Sequence, residues 1–353
     1  MVPLLAKRKR GVSSSFILAA LVCVRCGAAP GRREAAWCAR LGRKQRCVAS
    51  GAGGYYLYHA RKAAGTTLRA ALQEAARRHR VAYWETEGLS IDPMFLGLRS
   101  IITVMSVRDP VRRVLSMYWY EHVGWHDGIV HDPAGLRTLR EWVDEWKDDS
   151  AWKRDFARRN PGNVYVEVQN YYTKALAGWN AAGAAAVVDA AALSRARAAL
   201  ERFDAIFVVE RATWPNHTAL LRRALGHDAP LLATLRGAGP CAIPIFFGAS
   251  GARDRGVGFR RHDRAARAGD DAARRRLAPR LTPDAAAVVA DLEALNGFDR
   301  DLYGFALELD DARTAHAPRE PRRDGGATPC ENPPSRQLGS KTGIFRPPGH
   351  KHR

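Results

Sequence analysis

Tyr55–Tyr56–Leu57–Tyr58–His59–Ala60–Arg61–Lys62–Ala63–Ala64–Gly65–Thr66–Thr67–Leu68 is the stretch on which the fold turns. The aromatic and aliphatic run Tyr55 to Tyr58 reads as a strand. His59 to Gly65 reads as a loop, and Thr66 and Thr67 as caps of a helix reaching about Arg80. Leu68, Leu72, Ala75 and Ala76 recur at helical spacing and give that helix its packing face. A loop that leaves a strand and enters a helix offers backbone N–H groups where the helix dipole favours an anion. Gly65 permits close approach, the two threonine hydroxyls can donate hydrogen bonds, and Lys62 adds a mobile positive charge. The spacing is not that of a nucleoside-triphosphatase loop: the lysine precedes the glycine, and no GKT or GKS follows.

Downstream, Ile101 to Val107 is almost continuously apolar, the mark of a central strand in a parallel sheet. Arg108, Asp109 and Pro110 end it, and Pro110 suits the first position of a helix because its missing N–H costs nothing there. Val111, Val114, Leu115 and Tyr118 would line the buried side. Arg108 then stands at the carboxyl end of a strand, where α/β proteins place ligands, with Ser116 two helical turns on. Arginine and serine together can hold a second phosphate. Taken singly, Lys62 reads as a surface lysine, Arg108–Asp109 as a strand-end ion pair and Ser116 as a small helical residue. Taken jointly, they suit a nucleotide with phosphates at both its 5′ and 3′ positions.

Further helices are expected over Leu136 to Phe156, Leu193 to Leu200, Ala219 to Leu225, Pro283 to Leu295 and Leu302 to Leu309. Val164 to Val168 and Ile206 to Val209 are short strand candidates. Strands alternating with helices predict an α/β fold: a single P-loop-like domain with a central, mostly parallel sheet flanked by helices. The expected division is residues 1–30 as leader, 31–50 as a basic, irregular stem, 51–310 as the domain, and 311–353 as a disordered basic tail.

The leader has a cationic cluster, Lys7 to Arg10, an apolar stretch from Phe16 to Val24, and small residues near Ala28. That pattern reads as a signal peptide or a short signal anchor, with the anchor disfavoured by its length. Asn216–His217–Thr218 is an N-glycosylation sequon. Cysteines stand at 23, 26, 38, 47, 241 and 330. Two of Cys38, Cys47 and Cys241 could pair in an oxidising compartment. The formal net charge of +20 favours anionic partners without choosing among them. No zinc-finger spacing or patterned basic helix points to nucleic acid. No metal-ligand spacing stands out either.

These residues resemble the donor-binding motifs of the Golgi carbohydrate sulfotransferases, which use the nucleotide donor PAPS (3′-phosphoadenylyl sulfate). His59 to Leu68 looks like the family's 5′-phosphosulfate loop, with Ala64 where glycine is commoner. Arg108 to Ser116 looks like its 3′-phosphate element. Two later stretches are similar to the glycan-modifying branch: Gln169–Asn170–Tyr171–Tyr172–Thr173–Lys174–Ala175–Leu176–Ala177–Gly178, and Leu295–Asn296–Gly297–Phe298–Asp299–Arg300–Asp301–Leu302–Tyr303–Gly304–Phe305–Ala306. The four fall in the family's order over residues 54–310. The resemblance implies an enzyme of the Golgi lumen, type II or secreted, that moves a sulfuryl group from PAPS to a carbohydrate hydroxyl without a metal. Lys62, Gly65, Thr66, Thr67, Arg108 and Ser116 would hold the donor, and Lys62 would also stabilise the leaving oxygen.

The family places its base, a glutamate or histidine, shortly after the first helix. Here that implies Glu87, with Glu85 as its partner; in an extended segment both face the same side. His122 and His126 are the reserve. Gln169, Asn170 and Thr173 would line the acceptor cleft. Trp84, Trp119 and Trp125 could stack on sugars, and Arg112, Arg113 and the arginines of 253–267 could meet an acidic glycan. Two other readings remain open: a nucleotide-dependent kinase, which should carry a GKT or GKS, and a secreted acidic-glycan-binding protein without catalysis.

Overall fold

The computed structural model describes residues 32–87, 91–124, 136–159, 167–178, 188–211, 224–225 and 277–316. Four strands form one parallel sheet: β1 (Gly54–His59), β2 (Ala82–Glu87), β3 (Ile101–Val107) and β4 (Ala205–Val208), in the order β2-β1-β3-β4. The architecture is α/β, a parallel sheet flanked by helices. Every residue of β1 and β3 is buried, as two inner strands covered on both faces must be, which is why both read as unbroken apolar or aromatic runs. β2, at the edge, is half-buried and carries its two glutamates there.

The order of the strands matters more than their number. From β1 the chain moves outward to β2, then crosses back to place β3 on the other side of β1. The β1/β3 pair is therefore where the direction of winding reverses, the place where sheets of this kind usually put their ligand crevice. Both candidate anion elements leave from those two strands.

The helices are α1 (Arg32–Ala49), α2 (Gly65–His79), α3 (Pro93–Gly97), α4 (Pro110–Met117), α5 (Leu139–Trp146), α6 (Ala151–Arg159), α7 (Tyr171–Leu176), α8 (Ala190–Arg202), α9 (Ala285–Leu295) and α10 (Gly297–His316). α4 runs directly into a π-helical segment, Tyr118–Gly124. The expected packing face of α2 is buried, as are Leu139, Trp142, Val143 and Trp146 of α5. Asp109 caps α4 by accepting from the Arg112 N–H at 2.8 Å, with Pro110 at its first position. A capping box joins Thr138 and Glu141 at the start of α5. Two hydrophobic clusters result, one around the sheet and one where α4 and the π-segment meet α5 and α9.

Several expectations are corrected. Residues 32–49 are not an irregular stem but α1, whose Trp37, Cys38, Leu41, Lys44, Cys47 and Val48 are buried. Its basic residues concealed the reason: Lys44 and Arg40 reach the buried Asp204 at 2.7 and 3.1 Å, and Trp37 donates to the Asp204 carbonyl. The final helix continues past residue 311 to His316, holding Arg211 through Asp310 and Asp311. Leu136 to Phe156 divides into α5 and α6, separated at residues 147–150. Glu167 and Val168 form no strand, and the rest of that candidate lies outside the described residues.

The leader, the sequon at Asn216, most of Ala219 to Leu225 and the tail beyond residue 316 also lie outside them. Cys47 is disulfide-bonded, while Cys38 is a buried thiol in the core. Among the described residues no helix is long and apolar enough to cross a membrane.

Candidate functional site

The loop after β1 owes its shape to two left-handed residues, Lys62 at φ 62° and Ala64 at φ 61°. A residue with a Cβ pays for that conformation, and glycine would not, which is why an alanine at 64 narrows the loop's freedom. Ala64 also occupies the N-cap of α2 without a side-chain bond, so neither Thr66 nor Thr67 caps the helix. Thr67 and Leu68 both donate their amides to the Ala64 carbonyl, and Thr67 is buried. The amides of Gly65 and Thr66, at the first turn, have no carbonyl one turn back to bind. Gly65 itself is demanded by a neighbour: a Cβ there would lie 1.6 Å from Cδ2 of His59. The His59 imidazole is thus stacked directly on the helix start.

Arg108 leaves β3 beside this loop, and its Nη1 donates to the Lys62 carbonyl at 3.3 Å. The two anion elements, 46 residues apart in sequence, are in contact. Burial holds the Arg108 guanidinium below its ordinary pKa, and Glu210, 3.9 Å from Nε, only partly opposes this. Among the described residues the buried Nε has no hydrogen-bond acceptor. A half-buried cation whose Nε has no acceptor is a fit for an anion. The Lys62 Nζ lies 3.2 Å from the ring centroid of Tyr120 in the π-segment. Ser116 is half-buried on α4, four residues before Tyr120.

Behind both elements stands one pair of tyrosines. Tyr171 accepts from the Arg61 N–H at 3.1 Å and from Tyr58 OH at 3.2 Å, while Tyr172 accepts from the Arg108 N–H at 2.9 Å. The Arg113 guanidinium lies over both rings, 4.4 and 5.8 Å from their centroids. Arg113 is fully buried and bonded to the Glu167 carbonyl, so it does not meet a glycan; Arg112 is exposed.

The tyrosines are fixed in turn by the last motif. Asp299 accepts from the Tyr172 and Thr173 amides and from Thr173 Oγ1 at 2.8–2.9 Å. Asn170 donates its amide to Asn296 and accepts from the Asp299 N–H, in a left-handed conformation at φ 47°. Gln169 accepts from the Asp148 amide. Asn170 and Thr173 were expected on an acceptor cleft; Thr173 is fully buried with its hydroxyl bonded to Asp299, while half-buried Asn170 engages its amide and Oδ1 in this interlock.

The two glutamates of β2 do face one side, beside the end of β1. Glu85 receives Arg69 Nε and Nη2 at 2.6–2.9 Å, Tyr83 OH at 2.7 Å and a contact from His59 Nδ1 at 2.7 Å. Burial works to raise its pKa, but the bonds from His59, Arg69 and Tyr83 overcome it and bring the carboxyl down to about 2. Glu87 is more exposed, 40% against 13%, and touches only the outer edge of the cluster: Arg69 Nη2 at 3.5 Å and His59 Nδ1 at 3.6 Å. His59, Glu85 and Glu87 come close enough to share a cation, and Arg69 already puts a guanidinium among them.

Of the reserves, His122 Nε2 accepts from the Arg137 amide, and His126 lies outside the described residues. Trp84 packs on Phe95, 5.5 Å between centroids, and Trp119 meets Tyr118 edge-on. Tyr118 is buried and bonds to the Arg137 carbonyl. Trp125 and residues 253–267 lie outside the described residues.

Sequence reasoning missed Arg69, Tyr120 and Glu210 as members of the site, and gave His59 a place in the loop but no role of its own. The available signal was weak: a histidine at a strand end, and an arginine one helical turn inside a helix whose next strand carries two glutamates. Compared with known proteins, the chain matches no family model, no curated protein and no solved structure.

Proposed function

We propose that this is a PAPS-dependent sulfotransferase of the secretory pathway, built on a single P-loop-like domain, that sulfates a carbohydrate hydroxyl. The observation carrying the reading is the Arg108–Lys62 contact at the β1/β3 crevice. It puts a lysine with an amide-rich turn beside a half-buried, incompletely bonded arginine, a pairing suited to a nucleotide bearing phosphates at both ends of its ribose. Lys62 and the amides of Gly65 and Thr66 would meet the 5′-phosphosulfate, and Arg108 with Ser116 the 3′-phosphate.

In the transfer, the acceptor oxygen attacks sulfur and the bond from sulfur to the bridging phosphate oxygen breaks. The electron pair of that bond stays on the departing nucleotide, where Lys62 neutralises it. The acceptor's proton goes to Glu87. A carboxyl held near 2 has little affinity for a proton, which favours Glu87 over Glu85 as the base. Glu85 then serves to fix Arg69 and His59. The absence of GKT or GKS argues against the kinase. Incubation with sulfur-labelled PAPS and a panel of neutral and acidic glycans tests the reading. Label should enter a glycan with the wild type and not with folded Lys62→Ala. Binding of a glycan without any affinity for the desulfated nucleotide PAP would mean a non-catalytic lectin instead.

A further inference from the structure

We infer that Tyr171 and Tyr172 are positioning residues that divide the nucleotide site between them, Tyr171 setting the 5′ half and Tyr172 the 3′ half. The inference rests on the donor-site reading above. Two consecutive residues on one short helix each send a hydroxyl to the backbone of a different anion element. Tyr171 takes the Arg61 amide, adjacent to left-handed Lys62; Tyr172 takes the Arg108 amide, at the head of the phosphate-facing arginine. Both rings are buried, and burial pushes both phenols above their ordinary pKa, so both remain hydroxyls. With Tyr58 donating to it, the Tyr171 oxygen joins strand β1, the loop and α7 at one atom.

Neither tyrosine needs to touch a ligand. Each supplies the acceptor for a partly buried N–H at the place where the chain must turn toward the phosphate, so that the loop is shaped before the nucleotide arrives. Losing the hydroxyl leaves that N–H unsatisfied, and the segment can recover it only by moving away from the binding geometry. The consequence is separable. Removing the Tyr171 hydroxyl should loosen the grip on a 5′-phosphate and spare the 3′-phosphate, and removing that of Tyr172 should do the reverse. A tyrosine pair that served only to fill the core would weaken both together.

The test uses the full chain with Tyr171→Phe and Tyr172→Phe, each checked by its melting temperature, and three probes: PAP, adenosine 5′-monophosphate and adenosine 3′-monophosphate. Tyr172→Phe should weaken PAP and the 3′-monophosphate by about fivefold or more while leaving the 5′-monophosphate within about twofold. Tyr171→Phe should give the mirror image. Equal losses for all three probes in either variant, or no loss in either, would overturn the assignment. Failure of the wild type to bind PAP would instead sink the donor-site reading itself. Should a variant not fold, hydrogen exchange of the wild-type amides decides: the 3′-monophosphate should slow Arg108 more than Arg61, and the 5′-monophosphate Arg61 more than Arg108. Equal slowing would count against the division.

Discussion

Glu85 and Glu87 occupy the same face of the same strand two residues apart, yet their surroundings assign them different chemistry. Glu85 is saturated by Arg69, Tyr83 and His59, and its carboxyl falls from its ordinary 4.5 to about 2. A depressed acid stabilises the fold above its unfolded pKa, and that contribution is lost as pH falls from about 4.5 toward 2. Glu85→Gln should therefore lower the melting temperature at neutral pH and flatten its fall between those two values; an unchanged acid limb would show that the network is not formed in solution. Glu87→Gln should leave the melting curve alone and lower kcat by about a hundredfold or more, as loss of a general base does. The pair could be picked out from Tyr83–Trp84–Glu85–Thr86–Glu87 alone, since alternation in an extended segment puts both on one side. That Glu85 is the depressed one was not legible there, because the answer depends on Arg69 and His59, which reach the strand only through tertiary packing.

At the scale of elements, the local patterns were readable where one segment decides its own structure. β3 was bounded by its apolar run and by Pro110, and the packing faces of α2 and α5 followed from spacing. What failed was whatever a distant partner decides. α1 looked like a basic stem because Lys44 and Arg40 count as surface charges until Asp204, about 160 residues later, is known to receive them. Thr173 looked like a cleft residue until the buried Asp299 claimed its hydroxyl.

The α7–α10 interlock now makes its own prediction. Asp299 is the shared acceptor of the Tyr172 amide, the Thr173 amide and the Thr173 hydroxyl, all buried. Asp299→Ala leaves several buried donors without an acceptor and should cost about 3 kcal/mol or more in urea unfolding. A loss below about 1 kcal/mol would mean that α7 holds its place without Asp299.

For the whole molecule, four stretches scattered over some 250 residues close into one arrangement. The last motif fixes α7, α7 supplies two hydroxyls, and each hydroxyl shapes one of the loops at the β1/β3 crevice. α1 closes the opposite end of β3 through Asp204, which also accepts from the Thr103 amide. Burial alone would raise the Asp204 pKa, but Lys44 and Arg40 bring it below its ordinary value. Lys44→Ala strips the nearer cation from a fully buried carboxylate and should destabilise the fold by about 3 kcal/mol or more. A smaller loss would indicate that Arg40 suffices. The formal charge of +20 agrees with an anionic ligand but does not say where one would bind; the strand order singles out the β1/β3 ends as the place to test.

The central claim is that one nucleotide bridges the lysine loop and the arginine at the neighbouring strand end, and calorimetric titration of the wild-type chain with PAP and with the two adenosine monophosphates tests it most directly. PAP should bind more tightly than either monophosphate by about tenfold or more, because only PAP engages both grips at once. No binding of PAP, or an affinity no better than that of the stronger monophosphate, would contradict the account.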